Sequence, residues 1–287
     1  MADQPQLSSL QYQVLGILGQ GEHATVMKIA SREVGGGTYA LRVVKKETPQ
    51  DMLWLDWARA EAEASSKLQH PAVLKTYDTR IKKNLLFQPE KAEQLMEFVD
   101  GQPLDKVKGI SIGPAVLIFH KLAGALQQMH RRDVLHGDLR PRKVLLSRRG
   151  QVKMHGYGFS LVNFKYKTML EASGPYVAPE RAKEPVATVA SDLYALGATM
   201  YQVLTGKAPA GMVARTEGKK LATPQAVNPR VPNALNNLVV ACLSLSPDGR
   251  PKDAYEVTTE LEKLVQQLGL DDQALAGLAP GAKSEES

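Results

Sequence analysis

Between residues 11 and 48 apolar and polar positions alternate in short runs broken by glycine: "YQVLGILGQGEHATVMKIA", "REVGGG" and "TYALRVVKK". A period of two marks half-buried strands, so the stretch predicts three antiparallel strands, with Gly35, Gly36 and Gly37 making the second turn. The period then changes. In "DMLWLDWARAEAEASSKLQ" the residues Leu53, Trp57, Ala60, Ala64 and Leu68 recur at helical spacing, and His70-Pro71 ends the run. Two more strand-like runs follow, around 73–77 and 94–99.

From Pro114 the pattern is mainly helical. Pro114 suits a first helical turn, and Ala115, Ile118, Leu122, Ala125, Leu126 and Met129 form one apolar face. Val144–Leu146 and Val152–Met154 predict a short hairpin. Further helices fit 191–205, 233–243 and 253–268, the last with Val257, Leu261, Leu264 and Leu268 on one stripe. Residues 1–10 and 269–287 lack a sustained apolar pattern and are expected to be flexible ends. Pattern alone therefore gives an α+β chain: a β-rich unit over 11–99 with one main helix, then a larger helical unit over 100–268.

Composition narrows the classes. At 287 residues the chain suits two lobes, and its 43% hydrophobic and 23% charged residues are ordinary for a globular protein. No run is long and apolar enough for a membrane span, and the single Cys242 excludes an internal disulfide, so a cytoplasmic setting is expected. The net charge of +6 is spread over short basic groups with no zinc-finger spacing, so a nucleic-acid partner is not expected.

Six segments, in order, carry a resemblance to the eukaryotic-type (Hanks-type) serine/threonine protein kinase domain of bacteria, over about residues 11–266. "LGQGEHATV" resembles the glycine loop that closes over ATP phosphates, with Gly19 and Gly21 kept, Ala24 in place of the third glycine, and Val26 following. In "YALRVV", after Ala40, Arg42 stands where a lysine grips phosphate, and the resemblance gives it Glu61 as partner. Helical spacing puts Glu61 inward with Trp57 and Ser65, and turns Glu63 to solvent. "EQLMEFVDGQPL" resembles the connection between lobes, with Met96 at the back of an adenine pocket and Glu97, Phe98 and Val99 in the hinge; the resemblance also gives Leu145 as a cofactor-binding position.

"HGDLRPRKVL" resembles the catalytic loop. His136 and Asp138 remain, Asp138 being the base position; Gly137 replaces an arginine, which removes the basic pocket beside the loop; Lys143 stands where an asparagine would bind Mg²⁺. "VKMHGYGFS" aligns with the strand carrying the second metal ligand, and Gly156 occupies that place. The resemblance gives Glu180, Asp192 and Arg250, in "SGPYVAPE", "SDLYALG" and "SPDGRP", structural roles. With both metal positions vacated, the expectation is a pseudokinase. It would not be an enzyme but a regulatory or scaffolding module for a protein partner, such as an active kinase or signalling protein. No cofactor would be required, and any ATP would bind without metal.

Three rivals stand beside it. An atypical active kinase would rely on Asp138, Arg42 and Glu61, with Glu90, Glu93 or another acid holding metal from an unexpected place. A small-molecule kinase matches "HGDL" but not the later segments. A nucleic-acid adaptor would bind in a strongly salt-dependent way.

Overall fold

Glycine and turn residues cut the first third of the chain into strands because each run is just long enough to span a sheet. A computed structural model of the protein describes residues 5–21, 23–33, 35–158, 174–184, 186–211 and 220–279. β1 (Tyr12–Gln20), β2 (Ala24–Ser31) and β3 (Thr38–Lys45) form the expected meander. They continue into β4 (Thr76–Lys83) and β5 (Pro89–Glu97) in an antiparallel sheet of order β1-β2-β3-β5-β4. Helix α1 (Met52–Lys67) lies on one face, where Leu55 and Ala58 pack with Val44 and Ala92.

Two strands run further toward the "TRIKK" hairpin than the apolar pattern suggested, with 73–77 becoming Thr76–Lys83 and 94–99 becoming Pro89–Glu97. The hairpin stem is polar on its outer face, which conceals alternation. The apolar Val73 and Leu74 instead join the second lobe: Val73 bridges to Met154, and the Leu74 N–H donates to the Met154 carbonyl at 2.8 Å.

The second lobe is built on α2 (Ile112–His130), whose predicted face is wholly buried, with α3 (Val189–Thr205), α4 (Pro224–Val227), α5 (Asn233–Cys242) and α6 (Ala254–Gln267). Strands β6 (Gly101–Pro103), β7 (Val144–Ser147) and β8 (Val152–Met154) form a small sheet facing the cleft. Gly206 ends α3 at φ 73, a left-handed cap that glycine takes without a Cβ clash.

Both expected flexible ends need correction. Leu7 is buried against Ile29, Leu41 and Leu95, and its N–H donates to Asp78 at 2.8 Å. At the other end Leu275 and Ala279 are fully buried on the helical core, and the Gly277 N–H donates to the Arg148 carbonyl at 2.9 Å. Leu10 at one end and Leu270, Ala274 and Leu278 at the other pack alongside them, but at no regular spacing that a period would reveal. Residues 1–4 and 280–287 lie outside the described part.

Candidate functional site

Between the sheet and the helical lobe lies a cavity of about 290 Å³. Gly19 and Val26 roof it, Ala40 and Arg42 on β3 and Met96 at the end of β5 form its back, Glu97 and Val99 its rim, and Leu145 its floor. Phe98, expected in the hinge, also lines it, as do Leu18, Leu74 and His155, which were not singled out from sequence. Leu18 and Leu74 were legible as apolar positions, but only the fold turns them to the cleft.

The other expected residues lie beside the cavity rather than in its wall. Gly21 donates its N–H to the Ala24 carbonyl at 2.8 Å, closing the loop turn. Ala24 packs toward α1 with Val44 and Leu55, so its methyl group fills a gap in the lobe's core. Glu61 is fully buried on α1 and accepts hydrogen bonds from the Arg42 guanidinium and, at 2.7 Å, from the Gly156 N–H. Arg42 Nε donates to Gln94 at 2.7 Å, and Gln94 in turn donates to the Ala58 carbonyl at 3.0 Å. A buried carboxylate thus ties β3, α1 and the end of β8 together. Glu63 is exposed and pairs with Lys67, as its helical position implied.

The catalytic-loop position is held from below. The fully buried Asp192 of α3 accepts the N–H groups of His136 and Gly137 at 2.8 Å each, and lies 3.1 Å from His130 Nε2. Burial pushes the Asp192 carboxyl up, but the His130 bond and the loop N–H groups outweigh it and hold it low. His136 is enclosed, and burial lowers its imidazole to about 4 despite nearby carboxylates. Asp138 pairs with Arg140 at 3.1 Å.

The surroundings of Gly137 differ from expectation. The missing arginine does not leave the loop without cations, because the buried Arg181 donates to the Gly137 carbonyl and Arg140 sits against Asp138. Arg140 belongs to the same loop segment, whereas Arg181 comes from 44 positions away, which no local motif reveals.

Lys143 is the distinctive feature. The turn Pro141–Lys143 delivers it into the cleft, with Nζ 3.8 Å from Asp138 and 4.6 Å from the centre of the Trp57 ring. The Arg42 guanidinium lies 5.0 Å from the same ring, so one indole serves two cations. Burial lowers the Lys143 ammonium to about 8, against the pull of Asp138. His155, which donates its backbone N–H to the Lys143 carbonyl, is pushed well below the ordinary imidazole range by burial and by the charges of Lys143 and Arg42.

Gly156 has φ 76, and a Cβ there would come within 2.8 Å of Lys143 Nζ. The two departures are therefore one structural change: the ammonium fills the space a side chain at 156 would claim. Mg²⁺ needs several hard oxygen ligands. An ammonium and a glycine do not provide them, and among the described residues no group of three or more His, Cys, Asp or Glu could hold a metal ion. Glu93 is tied to Lys82 and Lys91 at 3.0 Å each, so it supplies no ligand to the cleft. Of the segment 155–165, read from sequence as lacking an acid, residues 159–165 lie outside the described part.

The brace of the helical lobe joins two segments 70 positions apart. Arg250 makes two hydrogen bonds to Glu180, at 2.6 and 2.7 Å, and also donates to the carbonyls of Ala190 and Ser244. Tyr157, not assigned from sequence, is fully buried and donates its hydroxyl to the Leu74 carbonyl at 2.7 Å.

The protein kinase domain family model matches residues 12–264. The chain is similar to the serine/threonine-protein kinase PrkC of Bacillus subtilis, 26% identical over 270 residues that cover 88% of this chain and 40% of that protein. It is 26% identical over 264 residues to the probable serine/threonine-protein kinase PknB of Lactococcus lactis, covering 87% of this chain and 41% of that one. PknA of Mycobacterium tuberculosis is 28% identical over 247 residues, covering 82% and 57%. The chain thus spans about two fifths of the length of the first two relatives. The PknI kinase domain of Mycobacterium tuberculosis shares the fold, with a TM-score of 0.66 over 94% of this chain and 100% of that one at 19% identity.

These findings correct one expectation. Loss of the metal ligands led to the reading that the chain is not an enzyme. Relatives matched over most of its length are named serine/threonine-protein kinases, which points to an enzyme. No described helix is long and apolar enough to cross a membrane.

Proposed function

Since the chain belongs to the protein kinase domain family, we propose that it is a serine/threonine kinase of unusual cleft chemistry. It would move the γ-phosphoryl group of ATP to hydroxyl groups of a protein substrate. The observation that carries this reading is the placement of Asp138, 3.8 Å from Lys143, on a loop whose backbone Asp192 holds through two N–H groups. A base acts only where its carboxylate is fixed within reach of the proton it takes.

In this reading adenine lies among Val26, Ala40, Met96 and Leu145 and meets backbone groups of Glu97 and Val99. The triphosphate runs under the glycine loop toward Lys143 and Arg42, whose fixed charges neutralise part of its own. The substrate hydroxyl oxygen bonds to the γ-phosphorus, the bond to the β–γ bridging oxygen breaks, ADP leaves, and the hydroxyl proton passes to Asp138. Phosphoryl transfer is mainly positioning and charge stabilisation, so two resident cations contribute in kind to what a metal ion brings elsewhere. Glu61 acts through Arg42, keeping the guanidinium in place. No divalent ion is required by this arrangement. The two cations rest on Asp138, Glu61 and Trp57, and an entering triphosphate would draw them away.

The test is transfer of labelled γ-phosphate to a basic protein rich in serine and threonine, with Mg²⁺ and with excess EDTA. Transfer that disappears in Asp138→Asn supports the reading. Incorporation no greater than that of Asp138→Asn under both conditions contradicts it.

A further inference from the structure

The loop joining β4 to β5 presents Leu85, Leu86 and Phe87 to solvent, 100%, 78% and 82% exposed. Single exposed apolar residues are normal, but three adjacent large ones at one tip form a patch that calls for a ligand. The loop is built rather than slack. Asn84 Oδ1 accepts the N–H groups of Leu86 and Gln88 at 3.0 Å each, and the Phe87 N–H donates to the Asn84 carbonyl at 2.9 Å. Phe87 is held at φ 59, a conformation that bulky residues rarely adopt. The chain thus maintains an unfavourable backbone that keeps three apolar side chains outward.

The stem is basic. Lys82 and Lys83 directly precede the tip, Arg80 stands behind them, and Lys91 lies across from Lys82. Glu93 is shared by Lys82 and Lys91, so one carboxylate faces two ammonium groups. β5 runs nine residues from this tip to the hinge, a span of roughly 30 Å. Whatever binds the tip leaves the cleft open.

We propose that this hairpin tip docks on an anionic lipid surface. Leu85, Leu86 and Phe87 enter the headgroup boundary, and Lys82 and Lys83 lie against lipid phosphates. The shape favours lipid over protein. A stable protein interface buries about 800 Å² on each partner, which a convex tip of three side chains does not approach. A bilayer surface needs only a few inserted apolar groups with cations beside them. The inference is independent of the kinase reading, since it uses no residue of the cleft.

Co-sedimentation of the full chain with phosphatidylcholine vesicles, and with vesicles also containing phosphatidylglycerol, tests it. The expected result is retention on the mixed vesicles, about ten-fold weaker on phosphatidylcholine alone and weakened by salt. A Leu85→Ser, Leu86→Ser, Phe87→Ser variant should bind at least about ten-fold more weakly, and Lys82→Glu with Lys83→Glu should shift binding the same way. Unchanged melting temperatures would show that both variants fold. No retention on mixed vesicles, or retention untouched by the triple variant, overturns the proposal. So does a concentration-dependent dimer in sedimentation velocity that the triple variant abolishes, which would assign the tip to a second copy of the chain.

Discussion

The brace under the catalytic loop and the phosphate end of the cleft are both made of largely buried charges, with Glu180 half-buried, and they solve the problem of burial differently. In the brace each charge has complementary partners: Arg250 meets both oxygens of Glu180 and two carbonyls, and Asp192 receives two backbone N–H groups and the His130 contact. In the cleft Arg42 is held by Glu61 and Gln94, whereas Lys143 shares the Trp57 indole with it and lies 3.8 Å from Asp138. Saturated partnering makes the brace a stabilising device. The looser contact leaves Lys143 less closely partnered than the charges of the brace. Burial lowers Lys143 to about 8, which shows that the folded chain holds this proton less firmly than solvent would.

Breaking the brace should have the largest effect. Arg250→Ala leaves Glu180 and two carbonyls without their donor, and should cost roughly 3–5 kcal/mol, read as a drop of about 10 °C in melting temperature. Glu180→Ala should approach that value, and the double variant should lose less than the sum. Full additivity would separate the pair. Asp192→Ala comes next, at about 3 kcal/mol, because two loop N–H groups lose a charged acceptor. It should also abolish any phosphate transfer.

In the cleft the sign reverses. Between about pH 8 and the ordinary lysine range the unfolded chain holds the Lys143 proton that the folded chain has released, so stability should rise with pH across that window. Lys143→Met removes this dependence. It should stabilise the protein at pH 7 by up to about 3 kcal/mol, a gain that shrinks toward pH 10.5. Chemical denaturation at several pH values reads it. A destabilised Lys143→Met would mean that the cleft is satisfied as it stands. The smallest effect belongs to Glu63→Ala, whose exposed pair with Lys67 should change stability by less than about 0.5 kcal/mol.

The parts legible in sequence share a cause. The meander, α1 and the long helices have strong periods, and the Arg42–Glu61 and Glu180–Arg250 pairs sit in segments whose order marks the family. What was not legible depends on contacts between distant segments. Leu7 and Leu275 each bury one side chain without any period around them. Arg181 reaches the catalytic loop from 44 positions away. That Gly156 makes room for Lys143 is a matter of one interatomic distance, invisible to either motif alone. The β4 and β5 boundaries moved because a two-faced polar hairpin gives no alternation to read.

The central claim is that the cleft carries its own cation in the place of a metal. Titration of ATP into the purified chain by calorimetry, in excess EDTA and again with Mg²⁺, tests it most directly. The account predicts binding in EDTA at least as tight as with Mg²⁺, and a Lys143→Asn, Gly156→Asp variant that binds only when Mg²⁺ is present. Wild-type binding that appears only with Mg²⁺ would contradict it.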